Sequence, residues 1–506
     1  MISDIDKNRS ETAGLYNESL LLALAFVVLA FATNEPVAVL FAGFVFITGM
    51  NLLWRPGETP ILLFVFFYQW VQASIKVFQV AFSGKSWLAY SNVSGDIETS
   101  SMLSLAALLV LAIGIRLGTG PWRQVVARES QKIALSVGIY KWFSWYLLAF
   151  FVAEVALVMI RFVPPLSQPL LALAYLKWAF FFMLTYASFL RPVVKRNYWV
   201  IAFLLEFLLS IGGFFSDFKT VFFFTFMGVM AAGVRFTPDK VVTLSIFGVI
   251  IFILAIYWTA IKFEYRDYAS GGSMAQVIEV DLQDRYNKLA QLIAEQDAES
   301  LDRALDDFLR RLSYVDFFGM VLQYVPESEP HANGAIWLDA IQRPFMPRAF
   351  FPDKEVIDDS SRTTQYTGYF IIGGGSTTSV SIGYIGESYI DFGARGMFVP
   401  IFIFGFLIGR TYRWLVLRAI TKGLLGMGLA SAIIITLTYL DSSITKIMGG
   451  YIASLLVVWL FNKMIVPGYL RWCLAGRSQG PLRNHYRLDT KPELERSFRI
   501  SNQASL

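Results

Sequence analysis

"SLLLALAFVVLAFATNEPVAVLFAGFVFITGMNLLW", residues 19–54, carries a single charged residue, Glu35. Two apolar runs, 19–33 and 36–54, meet at "NEP" with almost no linker. A helix needs about 20 residues to cross a bilayer, and each run approaches that length. In lipid every backbone N–H and C=O must be paired internally, which leaves helices and closed barrels. No strand-like alternation suits a barrel, so the stretch reads as two consecutive membrane helices.

The same pattern recurs along the chain. Ten further apolar segments lie near 61–82, 101–117, 143–162, 169–190, 198–214, 219–234, 241–261, 396–414, 424–441 and 446–466. The 506 residues are 56% hydrophobic and only 16% charged, against about 25% charged in soluble domains. The expectation is an all-α polytopic membrane protein with about twelve transmembrane helices. The polar first eighteen residues lack the form of a cleavable signal peptide, so the first run is expected as a retained helix.

Lys and Arg orient the chain, because they accumulate in short cytoplasmic loops. With the N-terminus inside, the basic loops 116–141, 191–196, 235–240 and 410–422 and the tail with Lys463, Arg471 and Arg477 all fall inside. The loops 163–168 and 441–443, assigned outside, are poor in Lys and Arg. Both termini are therefore expected in the cytoplasm. Residues 1–261 form the N-terminal membrane helices and 262–395 one large outer-face loop domain. The C-terminal membrane helices follow over 396–466, with a polar cytoplasmic tail over 467–506.

Two histidines, His331 and His485, and one cysteine, Cys473, leave no intrachain disulfide and no Cys/His zinc cluster. Chemistry must rest on carboxylates, Arg, Lys, Tyr or Ser. The net charge of +5 is modest, and no nucleic acid is expected as a partner.

The outer loop is the candidate for that chemistry. Its periodicity predicts amphipathic helices over 275–296 and 298–325, the second with Leu301, Leu305, Phe308, Leu312 and Val315 on one face. From 326 onward, Pro and Gly predict an irregular segment. Cations gather in this segment, Arg343 and Arg348 in "QRPFMPRAFFPDK" (342–354), Lys354 and Arg362, and before it stand the pair Arg310–Arg311 and Arg266. Arginine forks suit phosphate and carboxylate. The cluster either binds an anionic head group or pairs with neighbouring acids. A second site is the short hairpin "GGFFSDFKT" (212–220), where Lys219 and Asp217 sit at the outer interface, as ligands or as a snorkelling pair. The third is "GGGSTTSVSIGYIGESYIDFGARG" (373–396). Its GGGS lacks the GK[ST] of a nucleotide-binding loop. Glu387 there is either a general base or an anchor for an arginine. Tyr366, Tyr369 and Tyr389 either stack on sugars or anchor at the membrane interface.

With these pieces in place, residues 200–440 resemble the Wzy-type polymerases of oligosaccharide repeat units. The most specific parts are "PRAFFPDK" (347–354) and the G-E-x-Y-x-x-F-G-x-x-G pattern of 386–396. The resemblance implies an inner-membrane, GT-C-like glycosyltransferase that uses neither metal nor other cofactor. It would join repeat units carried on undecaprenyl pyrophosphate at the periplasmic face, beside a flippase and a chain-length regulator. On that resemblance Arg311 and Arg348 stabilise the leaving pyrophosphate, with Glu387 as the base. Lys219, Arg266, Arg310, Arg343, Lys354, Tyr369 and Tyr389 are expected to bind substrate. His331 takes no role. A glycan ligase shares these features, and a lipid-linked glycan transporter is the rival from another class.

Overall fold

The computed structural model describes residues 19–468, apart from 56, 91–94, 122–124, 192–195, 212–217, 234–237, 273–277, 347–349, 352, 355–356, 371–379, 419–422 and 438–439. Among these residues there is no strand. Eight helices are long and apolar enough to cross a membrane, and four shorter apolar helices accompany them.

The first half contains α1 (Ser19–Phe31), α2 (Pro36–Leu53), α3 (Ile61–Ser83), the single turn α4 (Trp87–Tyr90) and α5 (Ile97–Thr119). Next come α6 (Val125–Ser136), α7 (Ile139–Phe162), α8 (Ser167–Leu190), α9 (Asn197–Ile211), α10 (Lys219–Ala231) and α11 (Pro238–Ala269). The insertion holds α12 (Leu282–Ala294), α13 (Ala298–Leu312), α14 (Val315–Tyr324), α15 (Ala335–Gln342), α16 (Asp359–Thr367) and α17 (Tyr384–Gly396). The chain returns through α18 (Phe398–Arg413), α19 (Leu424–Ile434) and α20 (Ile444–Met464).

Every residue of α19 is buried, as expected of a helix that is apolar all round and sits inside the bundle. It lies against α8, which also carries α7, α10 and α20. The most extensive contact is that of α5 with α18. Gly114 and Gly118 of one face Gly405 and Gly409 of the other, where backbones touch with no room for a side chain. Small residues spaced by four make this approach possible and compensate for the lack of a hydrophobic drive between helices in lipid.

Contacts sort the loops onto two ends of the bundle. At one end Arg55 donates from Nη2 to Thr119 Oγ1 (2.6 Å) and Gly120 O (2.7 Å). Tyr412 at the end of α18 donates to Glu58 (2.7 Å). At the other end Asp96 N donates to Gly319 O (3.2 Å), and Leu440 N donates to Gln72 Oε1 (3.0 Å). The α3–α5 connection, the insertion helices and the α19–α20 connection therefore gather on one side.

Three expectations are corrected. The helix expected over 241–261 continues unbroken to Ala269 in α11, 32 residues long and roughly 48 Å. Its charged end, Lys262 to Asp267, extends the helix after the apolar run stops, and Gly271 and Gly272 supply the first breakers. The helix expected over 298–325 is two, α13 and α14, divided at Ser313, whose backbone is extended (φ −80°, ψ 117°). Apolar residues on both sides of that break preserve the periodicity and mask it. The segment from 326, expected as irregular, contains α15, α16 and α17. A twelve-residue amphipathic helix, α6, also lies in the basic loop 116–141.

Candidate functional site

The opening glycines of "GYIGESYIDFGARG" (383–396) set the site. Gly383 has φ +86°, and a Cβ there would meet Leu440 O at 2.3 Å. A residue with a side chain would be strained in that conformation and would push away the α19–α20 connection. Helix α17 starts directly after it, and all eight residues from Tyr384 to Asp391 are buried. Tyr384 donates to Gln69 Oε1 (2.7 Å), and Gln69 Nε2 donates to Leu437 O (2.8 Å). The insertion is thus stitched to α3 and to the turn that follows α19.

Glu387 lies one turn into α17 and is 1% exposed. Its Oε1 accepts from Arg362 Nη1 of α16 at 2.8 Å, and its Oε2 accepts from Ile444 N at 2.6 Å. Ile444 is the first residue of α20, so the carboxylate also caps that helix, where negative charge is favoured. Arg362 Nη1 reaches Thr445 Oγ1 as well (3.3 Å). Burial pushes the Glu387 carboxyl up to about 7, against the opposing pull of Arg362 and of the Ile444 amide. A group poised near neutrality has the ordinary property of a general acid or base.

Further charges surround this pair. Asp359 of α16 pairs with Lys446 of α20 at 2.6 Å. Asp441 lies in the α19–α20 connection, and burial raises its carboxyl while the charge of Lys219 lowers it. Asp359 Oδ1 and Asp441 Oδ1 are both buried without a hydrogen-bond partner among the described residues. Three acids and three bases, from α10, α16, α17, the α19–α20 connection and the start of α20, therefore meet at the seam between insertion and bundle.

The sequence-derived candidates divide among three places. Glu387 and Lys219 belong to this seam. Arg343 and Lys354 belong to the turn after α15. There Arg343 Nε pairs with Asp339 at 3.0 Å, and Lys354 Nζ donates to the carbonyls of Arg343 and Met346. Those cations hold their own loop. Arg266, Arg310 and Arg311 belong to the α11–α13 contact. Arg310 lies 3.8 Å from Asp307, and Arg311 acts electrostatically on both Lys262 and Arg266.

Tyr389 is buried, with its hydroxyl on Val325 O (3.1 Å) and its ring against Phe318 and His331. Tyr369 is 41% exposed, just past the C-terminus of α16. Tyr366 is buried within α16. Arg348, Asp217, the run 373–379 and the tail from 469 lie outside the described residues.

The expectation of a general base or an anchor for an arginine named no partner for Glu387. Arg362 is that partner, 25 residues earlier in the chain. The local signal was the helix start "DDSSR" (358–362). There Asp358 accepts from Ser360 N and Ser361 N, which fixes the helical phase and turns Arg362 toward α17.

No curated protein and no solved structure matches the chain. Residues 124–435 match the family described as Domain of unknown function (DUF8712). The matched region contains Lys219, Arg362 and Glu387 and takes in more than half of the 506 residues. The chain therefore belongs to the DUF8712 family.

Proposed function

We propose that this protein polymerises oligosaccharide repeat units carried on undecaprenyl pyrophosphate, as a GT-C-like glycosyltransferase of the bacterial inner membrane. The observation that carries the reading is the buried Glu387–Arg362 pair. It joins a carboxyl poised near pH 7 to an arginine, where a one-sided helical insertion meets the bundle. The eight long and four shorter apolar helices are then twelve spans, with both termini cytoplasmic and the insertion periplasmic.

In the reaction an acceptor hydroxyl attacks the anomeric carbon of the donor sugar. The new glycosidic C–O bond forms as the sugar–pyrophosphate bond breaks. The hydroxyl proton passes to Glu387, and polyprenyl pyrophosphate leaves. Preorganised cations stabilise the departing anion, so the chemistry needs no metal. Arg362 holds Glu387 Oε1 in the described state. Its transfer from Glu387 to the pyrophosphate frees that oxygen to take the proton, which couples donor binding to base release. Arg311 and Arg348 are further contacts for the anionic donor, and a flippase and a chain-length regulator act before and beside the step.

The test uses purified protein and lipid-linked repeat units extracted from a strain lacking this gene. A ladder of elongated glycan that persists with chelator is expected, and it is lost in Glu387→Gln and Arg362→Ala. A folded protein that leaves these units unextended removes the reading. Movement of the units across vesicles without elongation points to a transporter instead.

A further inference from the structure

Helix α10 is buried over most of its surface, yet Lys219, Phe223, Phe226 and Met230 are only half-buried. Their spacing of four, three and four places them on one face. That stripe rises roughly 16 Å along the helix. It looks toward α3, whose own less-buried side includes Phe64, Phe67 and Tyr68. The helices meet there through aromatic rings: Phe223 lies 4.8 Å from Phe64 and 6.4 Å from Tyr68 between centroids. Beyond Phe223 a cavity of about 140 Å³ opens between α2, α3 and α10. Its lining is apolar throughout and includes Met50, Trp54, Leu63, Phe67, Phe226 and Met230.

An apolar cavity of this size stays dry and takes up hydrocarbon. It is therefore no seat for a sugar or a free phosphate. The stripe leading away from it ends at Lys219, whose charge acts on Asp441, at the seam that holds Glu387. The cleft thus has one cationic end beside the candidate chemistry and one apolar, aromatic end at the bundle surface, where Phe67 is 43% exposed.

We infer that the α3–α10 cleft seats the isoprenoid chain of a polyprenyl-pyrophosphate carrier, with the pyrophosphate toward Lys219. The inference rests on the proposed reading of the substrate as a polyprenyl-linked glycan. The chain anchors the donor by burial of apolar surface, and the length of the stripe positions its head group at the seam.

The test uses the full chain in nanodiscs with two photoreactive probes. One is a sugar-free polyprenyl diphosphate carrying a diazirine near the tail end; the other is phosphatidylglycerol with a diazirine on one acyl chain. The polyprenyl probe is expected to label peptides containing residues 63–67 and 223–230. Filling the cavity with Met230→Trp, or with Leu63→Trp if the first variant fails to fold, lowers that labelling about tenfold. Such a loss corresponds to displacing roughly two buried methylene groups. Equal labelling of the cleft by both probes, or polyprenyl labelling confined to other helices, overturns the inference. Elongation without cleft labelling removes the cleft and keeps the polymerase. Cleft labelling without elongation does the reverse.

Discussion

Arg362 and Glu387 form an ion pair at 2.8 Å, with the carboxylate side chain 1% exposed and the guanidinium 22%. The pair joins α16 to α17, and the second carboxylate oxygen ties both to the first amide of α20. Removing one member of such a pair leaves the other charge in a place built for two. Glu387→Ala is therefore expected to lower stability by about 3–5 kcal/mol. Glu387→Gln keeps an acceptor for Ile444 N and costs less. Thermal unfolding in detergent separates the variants, and equal midpoints for both would show that the pair contributes little.

The same carboxyl makes stability depend on pH. Burial places it at about 7 in the folded chain, against the ordinary value of 4.5. Between these values the folded state holds a proton that the unfolded state has released. The stability contributed by the group is complete below about pH 4.5, falls as pH rises toward 7 and then levels off. Its size is on the order of 3 kcal/mol. Burial also raises the Asp391 and Asp441 carboxyls, so their slopes have the same sign. The comparison that isolates Glu387 is wild type against Glu387→Gln across this window. The variant is expected to show the shallower decline in melting temperature, and parallel curves would place the titration elsewhere.

Asp391, one turn beyond Glu387, does a different job. Its two oxygens accept from Ile336 N (3.2 Å) and Trp337 N (2.8 Å), in the first turn of α15. The N-cap position of that helix is Gly334, which has no side chain to do this. Asp391→Ala thus removes an N-cap supplied from another helix, at a cost of about 1 kcal/mol. A lower melting temperature with elongation retained at low temperature is expected. Loss of elongation in a fully folded Asp391→Ala protein would instead place the carboxylate in the reaction.

The apolar helices were legible because a bilayer leaves the backbone few choices, and stretches such as 169–190 and 446–466 state their length directly. Glu387 was legible as a candidate because it stands between glycines beside an apolar run. Its partner was not, because the cap at "DDSSR" sets only the phase of α16, and the contact with Arg362 also depends on how α16 and α17 cross. The glycines of 383–396 read as loop, and Gly383 and Gly393 do take positive φ before α17 and at its kink, whereas Gly386 lies inside the helix because packing there is tight. Gly386 has Ile382 Cγ2 at 2.5 Å from where its Cβ would stand. Arg343 and Lys354 looked like ligands because sequence shows charge without showing the carbonyls and carboxylate that already receive it.

Another buried ion pair lies among the apolar helices α7, α8 and α9. Lys177 of α8 is 2.8 Å from Glu206 of α9 and 3.6 Å from Glu154 of α7, and Tyr146 donates to Glu206 at 3.0 Å. Glu206 is 1% exposed, so Lys177→Met strands it at a cost of about 3–5 kcal/mol. Lys177→Met combined with Glu206→Gln removes both charges and is expected to regain most of that loss. A double variant as unstable as the single one in detergent melts would mean that the pair is not what Lys177 stabilises.

The α5–α18 contact makes the last prediction. Residues 114–118, "GIRLG", and 405–409, "GFLIG", each place glycines four apart. A Cβ on Gly409 would lie 2.3 Å from Ile115 O and 2.8 Å from Thr119 N, both backbone atoms that cannot swing aside. One on Gly118 would meet Phe406 O at 2.2 Å. Gly409→Ala must therefore push the helices apart, at a cost of about 1–3 kcal/mol. Gly449 of α20 has nothing within 4 Å of its Cβ position. Gly449→Ala should therefore be neutral, or gain up to about 1 kcal/mol from the better helix former. Melting temperatures of the two variants, measured side by side in one detergent, test the packing against the composition. Equal behaviour would mean that the α5–α18 backbones do not approach this closely.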